Sequence, residues 1–383
     1  MTDLARRTIA IALPSTGEEE WLALRESIET GWLSQGPKVK AFEDAFATRH
    51  QVAHALATTS CTTALHLALA AAGVGRGDEV IVPAFTWVAT ANVAVYCGAT
   101  PVFVDVDPQT YNMDMAQVAQ AVTPRTRAAI PVHLFGLCAD MNGLRAALPE
   151  NVVVIEDAAC AAGATYRGRP AGGLGAMACF SFHPRKSITT GEGGMLTTDD
   201  ADLAERANML RNHGASISEE VRHRGPKPYL LPDFDVLGFN YRMTDLQGAL
   251  GSVQLTKLDR FIAERDIWAR WYRDALADIP WLQMPTIPEG YGHAWQSFVT
   301  VVDEKTAPAP RNDIMERLQA LGISTRPGTH AVTELGYYKD LLGLQSGQFA
   351  VASRLERQSL ALPLHNRMSE EDYVYIADAL HGI

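Results

Sequence analysis

From His54 to Asp157 the chain alternates short apolar runs with helix-like stretches. That alternation restricts the fold more than any other feature of its 383 residues. His54–Thr59, Glu79–Pro83, Pro101–Asp105, Ala128–Leu134 and Val152–Asp157 read as strands. Between them lie Ala64–Ala72, a segment opened by Phe85-Thr86-Trp87 and running to Tyr96, Asp114–Val122 and Met141–Leu148, which read as helices. Strands separated by helices build a mostly parallel sheet with helices on its faces, an α/β domain. Met177–Phe182 and Gly194–Thr198 read as further strands. Ahead of the alternation, residues 14–31 read as an amphipathic helix with Leu22, Leu24 and Ile28 on its apolar side, ended by Gly31, and Val39–Thr48 reads as a second helix. Residues 214–240, rich in Gly, Pro and Arg (Arg222, Arg224, Gly225-Pro226, Pro228), read as a long loop. Thr244-Asp245 opens a connecting helix, with breaks, from Leu246 to Leu276. Beyond it, a strand at Ser297–Val302, a helix at Arg311–Leu321, a strand near Ile323–Thr325 and a helix capped by Ser369 describe a smaller α+β unit. The expected division is a large domain over 1–245 and a small one over 246–383.

In parallel sheets ligands sit beyond the carboxyl ends of the strands. Four chemically suggestive positions fall there: Ser60 with Thr62 and Thr63, Trp87, Asp157, and Lys186 in the turn Ser181-Phe-His-Pro-Arg-Lys-Ser-Ile-Thr-Thr-Gly-Glu-Gly-Gly194. Each has a plain alternative. Small hydroxyl residues ahead of a helix are good caps, but the free N–H groups there also suit a phosphate. Trp87 reads as core or as a wall for a planar ligand. Lys186 reads as a surface lysine in a hairpin, or as an imine-forming nucleophile whose free pKa of roughly 10 is lowered by partial burial and nearby cations. Gly191, Gly193 and Gly194 let the backbone pass close to a ligand or a neighbouring strand. Gly73-Val-Gly-Arg-Gly77 follows a helix, not a strand, and is discounted as a dinucleotide fingerprint.

A formal net charge of −11 argues against a nucleic-acid partner, which would want a basic face. No run of eighteen apolar residues exists, so no membrane span is expected, and the start lacks the apolar core of a secretion signal. Five cysteines without metal-type spacing point to reduced thiols in the cytoplasm and to no metal site.

An acid at a strand end, a later lysine in a glycine-rich turn and a phosphate-type helix start are what pyridoxal 5'-phosphate (PLP) requires. Over nearly its whole length the sequence resembles the DegT/StrS family of fold-type I, PLP-dependent sugar aminotransferases. The resemblance runs in order through Gly36-Pro37…Phe42-Glu43, Ser60-Cys-Thr-Thr-Ala-Leu-His-Leu-Ala-Leu69, Pro83-Ala-Phe-Thr-Trp-Val-Ala-Thr-Ala-Asn92, Glu156-Asp-Ala-Ala159, Ser181–Lys186, Gly191-Glu-Gly-Gly194, Gly238-Phe-Asn-Tyr-Arg-Met-Thr-Asp245 and Leu362-Pro-Leu-His365. It implies that Lys186 holds the cofactor as an imine and then serves as the base of the proton transfer. It implies that Asp157 pairs with the pyridine nitrogen, that Trp87 stacks on the ring, and that Thr62, Thr63 and Ser181 bind the phosphate. Asn240 would reach the cofactor of a neighbouring subunit in a homodimer with shared sites. The implied reaction moves an amino group from an amino acid, L-glutamate by resemblance, to a keto sugar, above all a nucleotide-linked 4-keto-6-deoxy sugar. Ile188–Gly194 is similar to the same stretch in enzymes that aminate such sugars. Lys186 sets the chain apart from the deoxygenating branch, which carries His there. Two positions depart from the family: Cys61 stands where many relatives have Gly, and Cys160 where they often have Gln, His or Glu beside the cofactor's phenolic oxygen. His183 reads as a loop histidine near the pocket. Acceptor selection is expected of the 214–240 loop, His330 and Arg326-Pro-Gly-Thr329. Two rivals are a non-catalytic sensor on the same fold, which would not need the lysine, and a PLP-dependent dehydratase.

Overall fold

The computed structural model describes residues 7–216, 229 and 231–383. Its centre is a seven-stranded sheet of mixed, mostly parallel strands. The strands are β1 (His54–Thr58), β2 (Glu79–Pro83), β4 (Thr100–Val104), β5 (Thr126–Ala129), β6 (Val153–Asp157), β9 (Met177–Ser181) and β10 (Gly194–Thr198), in the spatial order β1-β10-β9-β6-β5-β2-β4. Only β10 runs against the other six. Both faces are covered, and the pleat sorts the side chains: Val80 and Val82 enter one core, Ile81 between them the other. Helices α3 (Cys61–Ala71), α4 (Ala89–Tyr96) and α7 (Ala201–Arg211) cover the first face. Helices α2 (Pro37–His50), α5 (Met115–Ala121) and α6 (Met141–Ala147) cover the second, where Phe42, Phe46, Phe180 and Phe182 interlock.

Helix α8 (Asp245–Ala275) runs 31 residues without the expected breaks. Its glycines are sites of close approach. A side chain at Gly248 would strike the backbone of Lys38 and Val39, and one at Gly251 would strike the Phe42 ring. Thr244 caps α8, while Asp245 reaches across to accept from the N–H groups of Lys38 and Val39 at 3.1 and 3.0 Å, capping α2. Past α8, a three-stranded sheet of β11 (Leu282–Gln283), β13 (Phe298–Val302) and β15 (Ser359–Leu362) packs with α9 (Arg311–Ala320) and α12 (Glu370–His381) around a third core. Residue Ile9 enters that core through a single bridge to Ile323, where a separate strand was expected.

Three other expectations change. Phe85–Thr86 is a short strand, β3, because it pairs with β14 (His330–Ala331), and the helix begins only at Ala89. Two helices were not foreseen, α10 (Gly336–Leu342) and α11 (Ala350–Gln358). Helix α1 (Glu18–Thr30) ends at Gly31 as expected, but it buries Glu20 and Ser27 and turns Trp21, Leu22 and Ile28 outward. Of the loop expected over 214–240, Arg222, Arg224, Gly225-Pro226 and Pro228 lie outside the described residues.

Candidate active site

The strand register brings the expected residues to one edge of the sheet. At the carboxyl end of β1, Thr58 faces Gly194, and Gly194 faces Ser181 at the end of β9. Asp157, the last residue of β6, is paired with Cys179 two positions earlier on β9. Gly194 has no alternative here: a side chain would run into the backbone of Ser60 and Cys61. The turn leading into α3 is thereby pressed against Ser181.

That turn is a capped helix start. The Ser60 hydroxyl accepts from Thr63 N at 3.2 Å, and the Thr63 hydroxyl accepts from Ser60 N at 3.0 Å. The Thr63 side chain is committed to this capping box and to Thr59 Oγ1 at 3.0 Å. At the first turn of a helix the backbone donors lack intrahelical acceptors, which leaves the Cys61 and Thr62 N–H groups and the helix dipole aimed outward. Cys61 turns its thiol inward to the Cys179 carbonyl at 3.4 Å. It therefore contributes its backbone to the outer side of the turn, as glycine would.

Strand β6 ends in two carboxylates with opposite fates, because consecutive side chains leave a strand on opposite faces. Glu156 accepts from the N–H groups of Gly172, Leu174 and Gly175 at 2.9, 2.7 and 2.7 Å and from His133 Nε2 at 2.9 Å. Burial opposes its charge, but these donors prevail and hold its carboxyl below the usual range. It is a structural anion. Asp157 is also buried, yet receives only Thr90 Oγ1 at 2.7 Å and Ala159 N at 3.1 Å. Burial pushes its pKa up despite those bonds. Among the described residues it has no salt-bridge partner, so a cationic ring nitrogen would supply what it lacks.

The Lys186 turn is stitched down along its length and is no exposed hairpin. Ser187 to Thr190 are buried. Thr189 Oγ1 donates to Phe182 O at 2.8 Å, Gln254 of α8 accepts from Thr189 N at 3.3 Å, and Gln296 donates to Arg185 O at 2.9 Å. Lys186 Nζ donates to Cys160 Sγ at 3.1 Å. Burial alone would lower the Lys186 pKa, but Cys160, Cys61 and Asp157 outweigh it, and the net direction is upward. The expected lowering by nearby cations is thus reversed, because the groups around the amine are acidic. His183 accepts from Arg185 N at 3.2 Å, which makes it a brace of the turn.

Trp87 stands at the rim, 56% exposed, directly after β3. Its ring lies 5.6 Å from that of His330, which the β3–β14 pairing brings there. Asn240 is exposed, its backbone bridged to Asn212 while Tyr241 O accepts from Thr59 N at 3.1 Å. Sequence reasoning did not single out Thr90, and it noted Cys160 only as a departure from the family, without its contact to Lys186. Thr90 lies one turn beyond Trp87 in a motif already noted, and a hydroxyl at that helical spacing was the available signal.

A buried acid seeking a cation, an open helix start, an outward-facing indole and a lysine gathered at one edge of the sheet fit PLP, and fold and site together define a PLP-dependent aminotransferase. The chain belongs to the DegT/DnrJ/EryC1/StrS aminotransferase family, whose family model matches residues 14–381. It is 41% identical over 386 residues to the GDP-perosamine synthase of Caulobacter vibrioides, with all of both chains covered. Among solved structures it resembles DesV of S. venezuelae in complex with a ketimine intermediate, at 33% identity and a TM-score of 0.86, covering 95% of this chain and 94% of that one. It also resembles the PMP form of the sugar aminotransferase Spr1654 of Streptococcus pneumoniae, at 28% identity and a TM-score of 0.91, covering 97% and 98%. Among the described residues no helix is long and apolar enough to cross a membrane, and no cluster of His, Cys, Asp or Glu could hold a metal.

Proposed function

We propose that the chain transfers the amino group of L-glutamate to a nucleotide-linked 4-keto-6-deoxy sugar. The observation that carries this reading is the placement of Lys186 beside the buried, cation-seeking Asp157 at the sheet edge. The name of the Caulobacter relative supports the sugar class. When bound, PLP supplies an electron sink for the carbanion at the reacting carbon. Asp157 holds the ring nitrogen protonated, and Thr90 keeps that carboxyl ionised and oriented. The Cys61 and Thr62 N–H groups, the Thr62 hydroxyl and Ser181 bind the phosphate at the positive end of α3, while Thr63 holds that helix start in shape. Trp87, exposed at the rim beside His330, would cover the cofactor ring and keep water from it. Lys186 Nζ, held beside Cys160, would serve as the group that accepts and returns a proton during the transfer.

The assembly belongs to this reading. Trp21 and Ile28 are each 60% exposed on α1, with Leu22 beside them and Leu33 close after. A helix that buries Glu20 and shows its apolar side fits a homodimer contact, and the exposed Asn240 would then serve the partner's site. A large domain over 1–245 and a small one over 246–383 belong to the same reading, and the named site residues fall within the first. Five unpaired cysteines support a place in the reducing cytoplasm. The test is an absorbance spectrum of purified protein with PLP. A band for cofactor bound through Lys186 is expected, shifting to the amine form with L-glutamate and returning with a nucleotide-linked 4-keto-6-deoxyhexose. A band that no amino acid shifts would favour a sensor. Dehydrated product would favour a dehydratase.

A further inference from the structure

Cys160 differs from the other four thiols. Cys61, Cys138 and Cys179 are buried, and burial pushes each thiol up. Cys97 is partly buried, which pushes it up to about 11. Among the described residues, none of these four lies at hydrogen-bond distance from a cation. Cys160 is partly exposed, with its sulfur 3.1 Å from Lys186 Nζ.

The two partners differ in freedom. Lysine ends a chain of four rotatable bonds and loses much rotamer freedom when fixed. Cysteine has a single rotatable bond, and the backbone under Cys160 is pinned: Ala159 N donates to Asp157 Oδ1 at 3.1 Å and Ala161 N to Ala158 O at 2.9 Å. The turn that places Asp157 therefore also places the sulfur, and the sulfur places the amine.

We propose that Cys160 is a positioning residue for Lys186, its sulfur holding Nζ at the edge of the sheet so that thiol and amine behave as one coupled pair. The proposal rests on Lys186 being the cofactor lysine of the reading above. The pair works in both directions. The amine lies against the sulfur, and a neighbouring cation activates a thiol as a nucleophile. The sulfur in turn favours the ammonium, together with Asp157 at the end of β6 and Cys61 on α3, while His183 on the lysine's own turn is pushed toward its neutral form by burial. Removing the sulfur leaves burial opposed by Cys61 and Asp157, and the amine becomes available at lower pH.

Two readouts test this on the full chain. In the first, cofactor-stripped protein is treated with iodoacetamide, which forms an S–C bond and releases iodide, and each cysteine is followed by mass spectrometry. Cys160 is expected to react fastest and to slow about tenfold in Lys186→Met, with the other four unchanged. A Cys160 rate within twofold of the original in Lys186→Met would overturn the proposal. In the second, the rate of PLP capture is measured against pH. Its midpoint is expected to move down by about one unit in Cys160→Ala and by less in Cys160→Ser, which keeps a small polar group and guards against a folding defect. Unchanged midpoints in both variants would also overturn it. Lysine-dependent labelling in a protein that never binds PLP would uphold the pair and refute the proposed function instead.

Discussion

Removing the Thr90 hydroxyl should weaken cofactor binding out of proportion to its size. Thr90 is fully buried, and its Oγ1 donates to Asp157 Oδ2 at 2.7 Å. Thr90→Val keeps the branched shape and deletes the donor. A hydrogen bond to a charged group contributes about 1.5–3 kcal/mol, and one pKa unit corresponds to about 1.4 kcal/mol. Asp157 is already pushed up by burial, and Thr90 is the leading group that holds it down. Its loss should lift the carboxyl further. Because Asp157 must be ionised to hold a protonated ring nitrogen, the PLP dissociation constant should rise about 10- to 100-fold. The sign in pH follows: binding present above the Asp157 pKa is lost as pH falls through it, so the acid limb of PLP binding should move to higher pH in Thr90→Val. Absorbance titration of stripped protein with PLP measures both effects. Thr90→Ser restores a hydroxyl and should bind nearly as the original does. A Thr90→Val protein that binds PLP within twofold of Thr90→Ser, with the same acid limb, would refute the role assigned to this bond.

Three further outcomes follow from the fold. His50 is buried against Phe46 and Phe180 and is held down to about 4 by burial. Above the unfolded pKa of about 6.5 it is neutral in both states; below it the unfolded chain takes up a proton the native one refuses, so stability should fall by about 3 kcal/mol between pH 6.5 and 4. Denaturant titrations at pH 7 and pH 5 should show a smaller loss in His50→Leu than in the original chain. Glu156→Gln leaves backbone donors facing an amide and His133 without its acid, and should cost ~3–5 kcal/mol in thermal or denaturant unfolding. Ile28→Asp places a charge on the exposed apolar side of α1; on the proposed homodimer reading, sedimentation should show dimer for the original protein and monomer for the variant, with little change in the far-ultraviolet spectrum.

The large sheet was legible because strand and helix periods differ and both are local properties of the chain. What escaped was set at long range. Phe85–Thr86 becomes a strand only because His330–Ala331 pairs with it. Helix α11 has no polar capping residue of its own. Asp105, at the end of β4, accepts from the N–H groups of Val351 and Ala352 at 2.9 and 2.8 Å, some 246 residues away. Asp245 does the same for α2 across the width of the domain. A reading that looks for a cap beside each helix cannot find these. Helix α1 failed differently. Its apolar positions were seen, but which side faces the core was decided by Glu20, which accepts from Gln254 and Lys257 of α8 at 2.8 and 2.6 Å and so roots the polar side inward.

The candidate site divides along the same line. Asp157 and Lys186 were legible because a carboxylate closing an apolar strand and a lysine between glycines are conspicuous residue types at conspicuous places. Thr90 and Cys160 are ordinary residue types whose significance lies in what they touch, and local spacing hinted at the first only through its distance from Trp87. The sequence comparison of Cys160 with Gln, His or Glu asked what the residue could offer a cofactor oxygen. The 3.1 Å contact to Lys186 Nζ raises a different question, what it offers the lysine. On the proposed reading, the conspicuous pair would make the chemistry available and the inconspicuous one would govern its protonation. Thr90 holds the Asp157 proton off, and Cys160 holds the Lys186 proton on. If both assignments hold, Thr90→Val and Cys160→Ala should move the pH dependence of cofactor capture from opposite ends, the first raising its acid limb and the second lowering the point at which the amine is free.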